Sequence, residues 1–349
     1  MTTILKKITN WEAWPFKLIY APLVPLWAWN VIKSGAVWYF TSSNPKLTFG
    51  GLDGEPKKEM YDLLPTHLYP ITINVLHSQN IEEIKQQIQN KKIKYPLVVK
   101  PEIGCAGVLF RKINCEEELM VYHSNIPVDY IVQELVLYPI EVSVFYIRHP
   151  QKNSGTITGF LHKLPLSVTG DGTHTVEQLV NLHPKAVKHA AQLRLKHESH
   201  WNAVLIAGEK YVLCHAANHN RGAHFIDLKD HIDDGLLKTF DAISLQLNDF
   251  FYGRYDILCN SIEELKQGKN FLILEYNGCG AEPNHIYDTG YSLAKAYKEI
   301  IKHWQALYQI SSYNKSQGIK PWPLLKGIRF RQTTRRHYKI LKEADTRMA

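Results

Sequence analysis

Residues 271–285 read FLILEYNGCGAEPNH. The run Phe271-Leu272-Ile273-Leu274 suits a strand buried on both faces. Side chains alternate along a strand, so Glu275 and Asn277 share one side and Tyr276 takes the other. Gly278 and Gly280 then end the strand. A carboxylate and an amide oxygen converging at a strand end suit a hard cation, because Mg2+ takes oxygen ligands. A strand that merely reaches solvent accounts for the same residues, and the rest of the chain has to separate the two readings.

Upstream, residues 250–260 read FFYGRYDILCN, a second strand with Arg254 and Asp256 on one face by the same alternation. The segment SIEELKQGKN joins the two strands. If they are neighbours, Asp256, Glu275 and Asn277 meet. Phosphoryl chemistry needs such a grouping: carboxylates hold Mg2+ against terminal phosphates, and an arginine covers the reacting group.

The 349 residues suffice for about two domains. The formal charge of +8 suits an anionic partner without choosing among nucleotide, carboxylate, nucleic acid or lipid. No nucleic-acid motif and no basic stripe with interleaved aromatics is present, so nucleic acid is not an expected partner. The five cysteines contain no CxxC pair, which argues against a disulfide framework or a structural thiolate zinc site. No compact signal peptide is legible, and a cytoplasmic protein is expected.

Residues 11–40, WEAWPFKLIYAPLVPLWAWNVIKSGAVWYF, hold Trp11, Trp14, Trp27, Trp29 and Trp38, five of the protein's eight tryptophans. The uncharged run Leu18–Ile32 is 15 residues, short of the roughly 20 that span a bilayer. Pro22 and Pro25 also interrupt it. Two readings stand. The favoured one packs these aromatics on the protein's own domains or on a second copy in a homodimer. The other lays the segment on a membrane surface as a peripheral anchor, and so makes the protein membrane-associated. The C-terminus, with Arg329, Arg331, Arg335 and Arg336, reads as a basic solvated tail that would add attraction to anionic lipid.

Between these ends, GGLDGEPKKEMYDLLP reads as a glycine-rich turn and a short helix that stops before Pro65. IEEIKQQIQNKK is an amphipathic helix. YPLVVKPEIGCAGVLFRKI is a hairpin whose glycine loop, with Gly104 and Gly107, can donate N–H groups to phosphate. YIVQELVLYPIEVSVFYIR gives two strands around Tyr138-Pro139, with Glu134 and Glu141 facing an apolar setting that demands partners. VLIAGEKYV, residues 204–212, reads as a hairpin around Gly208-Glu209.

Taken in order, these motifs resemble the ATP-grasp superfamily, in its D-alanine–D-alanine ligase-like and cyanophycin synthetase-like branch. The resemblance covers roughly residues 50–310, and several motifs in order carry it. Lys58 before EMYDLL is similar to the family's first ATP lysine. Lys100 in PLVVKP is similar to the second, and GCAGV to the loop over the phosphates. VQELV resembles the hinge that reads adenine, with Glu134 at the amino group and the backbone near Val136. Glu141 matches the ribose-binding glutamate. RYD and EYN match the metal signature: Asp256, Glu275 and Asn277 as ligands, with Arg254 catalytic. GDGTHTV resembles the cyanophycin synthetase-type stretch, with Lys163 before it as a further phosphate contact.

The resemblance implies an α+β fold, two lobes of mainly antiparallel sheets clasping ATP. Its expected segments are a Trp-rich 1–50, an N-terminal lobe 51–130, a C-terminal lobe 131–312 and a basic tail 313–349. It implies an ATP- and Mg2+-dependent (or Mn2+-dependent) ligase that joins a small carboxylate and an amine through an acyl phosphate. The family's ligases carry a full α/β domain before the grasp lobes. Residues 1–50 do not resemble one, so D-alanine is not the expected substrate. Two alternatives remain: a kinase of a hydroxyl substrate, and a nucleotide-binding module at a membrane or partner surface with little turnover.

Overall fold

In chain order the strands of the computed structural model are β1 (Thr72–Val75), β2 (Leu97–Pro101), β3 (Arg111–Ile113), β4 (Tyr130–Glu134), β5 (Ile140–Ile147), β6 (Thr156–Leu164), β7 (Leu166–Thr169), β8 (Lys210–Cys214), β9 (His224–Asp227), β10 (Tyr252–Cys259) and β11 (Phe271–Asn277). The structure describes residues 10–104, 107–215 and 217–348. The fold is α+β with antiparallel sheets.

The chain divides into two compact units whose segments alternate along the sequence. The first unit is Met1–Tyr69, Tyr138–His162 and Asp227–Arg335; the second is Pro70–Leu137, Lys163–Ile226 and Arg336–Ala349. The sequence reading had consecutive lobes. The interleaving follows from strand pairing, because β10 and β11 complete the sheet that β5 and β6 begin.

In the first unit, β11, β10, β5 and β6 lie side by side, each antiparallel to its neighbour. One face of this sheet is covered by the helix Asp234–Leu247, whose Phe240 ring lies 5.2 Å from that of Tyr255. On the opposite face, Phe145 and Tyr252 join Leu307 and Ile310 of the helix Leu293–Ser316. The aromatic N-terminal segment completes this core. Tyr39, Phe40 and Phe49 are buried in it, and the Trp27 ring stands 5.0 Å from Trp304. The Trp-rich segment is thus packed on its own unit. Even so, Phe16, Leu18, Val24, Trp29 and Ile32 of the helices Phe16–Tyr20 and Val24–Ser34 remain exposed. Among the described residues, no helix is long and apolar enough to cross a membrane.

In the second unit, the sheet order is β1-β4-β2-β3. The helices Ile81–Asn90 and Glu116–Asn125 bury Ile84, Ile88, Leu119 and Tyr122 in its core. A smaller cluster joins the hairpin-like pair β7–β8 to Val176 and Val180 of a helix capped by Thr175. Two expectations are corrected here. Residues 204–212 do not form a hairpin: β8 pairs with β7, and Gly208 instead donates to the Gly170 carbonyl at 2.9 Å. The C-terminal run is a helix, Leu324–Arg347, and not a solvated tail. Leu341 and Ala344 recur on one helical side, and the second unit's core buries them.

Asn44 locks the N-terminal segment to β10. It is fully buried. Its Oδ1 accepts from the Phe251 and Tyr252 N–H groups at 2.9 and 3.2 Å. Its Nδ2 donates to the carbonyls of Tyr252 at 2.8 Å and Gly50 at 3.3 Å. Asn44→Ala strands several backbone groups without water, each costing about 1–3 kcal/mol. Urea unfolding is expected to show a loss of about 3 kcal/mol or more. A loss below about 1 kcal/mol would mean that the lock is not needed.

Candidate functional site

β10 and β11 are antiparallel neighbours, with Asp256 directly opposite Glu275 and Arg254 directly opposite Asn277. Directly opposed residues share a face, so all four side chains emerge together. A register shift after Asp256 leaves Leu274 as the extra residue of a bulge. The buried side of β11 therefore changes parity. Phe271 and Ile273 are buried before the bulge, and Tyr276 after it. Tyr276 stacks on Phe250 at 4.1 Å, which leaves Glu275 and Asn277 on the other face.

Asp256 is 6% exposed, and a buried carboxylate needs partners. Arg254 supplies two contacts, Nε to Oδ1 at 3.3 Å and Nη2 to Oδ2 at 3.2 Å. Asn277 Nδ2 donates to Oδ2 at 3.1 Å. Arg254 also donates to the Glu282 carbonyl at 3.4 Å. Burial opposes the guanidinium charge, but Asp256, Glu275 and Glu282 outweigh it and push the Arg254 pKa up. Glu275 is more open, at 42% side-chain exposure, and meets Lys57 Nζ at 3.9 Å. On β5, Ser143 stands opposite Asp256 and Glu141 opposite Leu258, which puts Glu141 on this face two positions further out.

Two glycine segments interlock beside the rung. The N–H groups of Cys279 and Gly280 donate to the carbonyls of Gly50 and Gly51 at 3.0 and 2.9 Å. A Cβ on Gly280 would lie 2.0 Å from the Leu52 carbonyl, and Gly51 has φ +74°. Only glycine allows both the close approach and the left-handed turn. Cys279 is the small residue wedged between them, and burial raises its thiol pKa, so it is not a poised nucleophile.

This interlock brings in two carboxylates that the sequence reading missed. Asp53 Oδ1 and Glu55 Oε2 are buried without a hydrogen-bond partner. Burial first, then the Glu275 carboxylate, push the Glu55 pKa up to about 7. Burial raises Asp53 against the pull of Arg331 and Arg335. The only signal in the sequence was two acids inside GGLDGEP, a stretch that reads as a turn.

The other expected residues fall as follows. Lys58 lies in the first turn of the helix Lys57–Leu63, half exposed and paired with Asp62. The second unit holds Lys100 on β2 opposite Ile131. It also holds Glu134, whose Oε1 accepts from the Ile71 N–H at 2.8 Å, with Val136 half-buried just beyond. Gly104 and Gly107 flank residues 105 and 106, so the middle of the expected phosphate loop lies outside the described residues. Lys163 is buried near the end of β6. Glu282 is held by Tyr20 and Tyr287, whose hydroxyls reach its Oε1 at 2.7 and 2.6 Å.

No family model and no curated protein matches the chain. Among solved structures, it is similar to a bifunctional glutathione synthetase from Pasteurella multocida. The identity is 16% and the TM-score 0.40, over 71% of this chain and 36% of that one. It is similar to D-alanine–D-alanine ligase from Bacillus anthracis at 15% identity and TM-score 0.39, over 73% of this chain and 68% of that one. The VanG D-Ala:D-Ser ligase from Enterococcus faecalis gives 13% and 0.42, over 74% and 62%. The chain thus spans little more than a third of the first protein's length.

Glu55 makes stability depend on pH. Its folded pKa, about 7, lies above the ordinary carboxylate value of 4.5. Between those two values the folded state holds the proton more tightly than the unfolded chain, so stability falls as pH rises through that window. Glu55→Gln removes the effect. The variant is expected to be more stable than the parent at pH 8, by on the order of 3 kcal/mol, and equal to it near pH 4. Parallel pH–stability curves for the two proteins would contradict this.

Proposed function

We propose that the chain is an ATP-grasp ligase that joins a small carboxylate to an amine at the expense of ATP. The supporting observation is the rung that sets Arg254 and Asp256 against Asn277 and Glu275. The donor set fits a hard cation: two carboxylates and an amide oxygen, which is the oxygen chemistry of Mg2+ or Mn2+. Asn277 offers that oxygen after a half-turn of its amide. A cation held by Asp256, Glu275 and Asn277 would neutralise charge on the terminal phosphates.

Each remaining residue has a proposed task. Lys58 and Lys100 balance the α- and β-phosphates, and Lys163 adds a further contact. Gly104 and Gly107 frame the loop over the phosphates. Glu134 and the backbone at Val136 read the adenine edge, and Glu141 takes the ribose hydroxyls. An oxygen of the substrate carboxylate attacks the γ-phosphorus, and the bond to the ADP oxygen breaks. The amine nitrogen then attacks the acyl carbon, the tetrahedral oxyanion forms beside Arg254, and the C–O bond to phosphate breaks. The amine must lose a proton on the way. Glu55, buried and titrating near neutrality, is the proposed acceptor, since a general base works best near the operating pH.

Asp256→Asn is expected to lower Mg2+-dependent ADP release at least ~100-fold. Unchanged turnover would remove the metal assignment. Hydroxylamine should trap a hydroxamate. A phosphorylated hydroxyl product with no hydroxamate would mean a kinase instead. Glu55→Gln should keep hydroxamate formation, because hydroxylamine is already unprotonated at neutral pH, and lose most amide product. Equal loss of both products would remove the base role.

The exposed helices support a second, compatible proposal: peripheral contact with anionic lipid. Phe16 and Ile32 are 62% and 70% exposed, with Lys17 and Lys33 beside them. Truncation is a poor test, because Tyr39 and Phe40 are core residues. Phe16→Ser with Ile32→Ser is the cleaner one. The parent should pellet with phosphatidylserine vesicles and the double variant should not. A parent that stays in the supernatant ends this proposal, and a concentration-dependent mass would favour a homodimer at the same surface.

A further inference from the structure

His285, Glu299 and His303 converge in the first unit, and the ligase reading uses none of them. Glu299 and His303 stand one turn apart on the helix Leu293–Ser316, so they project from one side. His285 comes from the turn Asn284–Ile286 after β11. Glu299 Oε1 lies 3.5 Å from Nε2 of His285 and 3.5 Å from Nε2 of His303. One donor atom from each residue falls within 4.8 Å of the others.

These spacings favour a shared ion over hydrogen bonds. A charge-assisted N–H···O contact is shorter, at about 2.7–2.9 Å. Two ligands each about 2.0–2.1 Å from a tetrahedral ion are about 3.4 Å apart. His285 and His303 are 4% and 1% exposed. Among the described residues, neither Nε2 has a hydrogen-bond partner. Such buried nitrogens are costly to leave unsatisfied. The far sides of two ligands are held in place. Lys302 Nζ sits 3.3 Å from Glu299 Oε2, which leaves Oε1 for the cluster. The Tyr252 hydroxyl lies 3.4 Å from His303 Nδ1, which turns Nε2 inward. Gly159 makes the room: a Cβ there would stand 2.2 Å from His285 Nδ1.

We propose that His285, Glu299 and His303 bind a divalent transition-metal ion, Zn2+ foremost, with a fourth position left for water. Imidazole and carboxylate ligands suit that ion. The site is separate from the oxygen-only cation site on β10 and β11. Its role is positioning. The chain from Glu282 to His285 crosses the sheet face. The Glu282 carbonyl accepts from Arg254, Asn284 donates to Ser143 Oγ at 3.0 Å, and His285 lands on Gly159. A metal bond to His285 would fasten this segment to the helix Leu293–Ser316 and fix the carbonyl that holds Arg254.

The test uses the untagged full chain, dialysed and then analysed for metal and titrated with Zn2+ against a chromophoric chelator. One Zn2+ per chain is expected. Glu299→Gln and His303→Gln should each weaken it beyond the roughly 10–100-fold typical of losing an outer partner. Replacement by Co2+ should give visible d–d absorption in the parent and none in the variants. Asp256→Asn should keep its Zn2+, so failure of the ligase reading leaves this inference standing. No stoichiometric Zn2+ at micromolar concentration overturns it, as does undiminished binding in both variants. If a variant does not fold, the parent decides. A Tm lowered by chelation and restored by Zn2+ but not Mg2+ supports the site, and a Tm indifferent to both overturns it.

Discussion

Asp256 is a carboxylate buried in the middle of a sheet, and that single fact constrains its neighbours. A buried charge with one partner removed costs several kcal/mol, commonly about 3–5. Arg254, two residues away on β10, and Asn277, across on β11, therefore have to reach it, and the bulge at Leu274 is what turns Asn277 to its face. An uninterrupted β11 would keep Phe271, Ile273 and Glu275 on one side, and Glu275 would meet the aromatic layer of Phe240 and Tyr255. One extra residue exchanges the faces. The strand keeps its apolar half under the helix Asp234–Leu247 and turns its polar end to Asp256.

The same sheet face explains the aromatic N-terminus. Along β10, Tyr252, Arg254 and Asp256 follow one another on that face. Tyr252 packs with Phe145, Tyr39 and Phe40, while Asp256 lies beyond that cluster. Asn44 and the interlocked glycines hold the cluster in register with the rung. The aromatic segment thus closes the core on the same sheet face from which Arg254 and Asp256 emerge.

The features legible in the sequence are those set by local rules. Alternation gave the shared face of Arg254 and Asp256, and the glycines marked the end of β11. The helix expected over IEEIKQQIQNKK appears at Ile81–Asn90. Features that need distant partners were illegible. Asp53 and Glu55 matter only because Gly50 and Gly51 meet Cys279 and Gly280, more than two hundred residues on. Leu274 carries no mark of a bulge, since its composition is that of any strand. The basic C-terminal run concealed Leu341 and Ala344, whose burial depends on the second unit's sheet. Glu299 and His303 had readable i, i+4 spacing, but nothing local pointed to His285 as their third member.

Charge ties these parts together. Asp256, Glu275 and Glu282 raise the Arg254 pKa although burial opposes the charge, so acid exceeds base in its surroundings. Glu55 reports the same excess: burial first, then Glu275, raise its carboxylate to about 7 against the pull of Lys57. A fold does not gain stability by crowding carboxylates, and an isolated surplus would be relieved by protonation. The surplus is intelligible where a cation or a cationic substrate group completes the set. Under the proposed function, Mg2+ at the rung and an ammonium beside Glu55 would each add positive charge to that set.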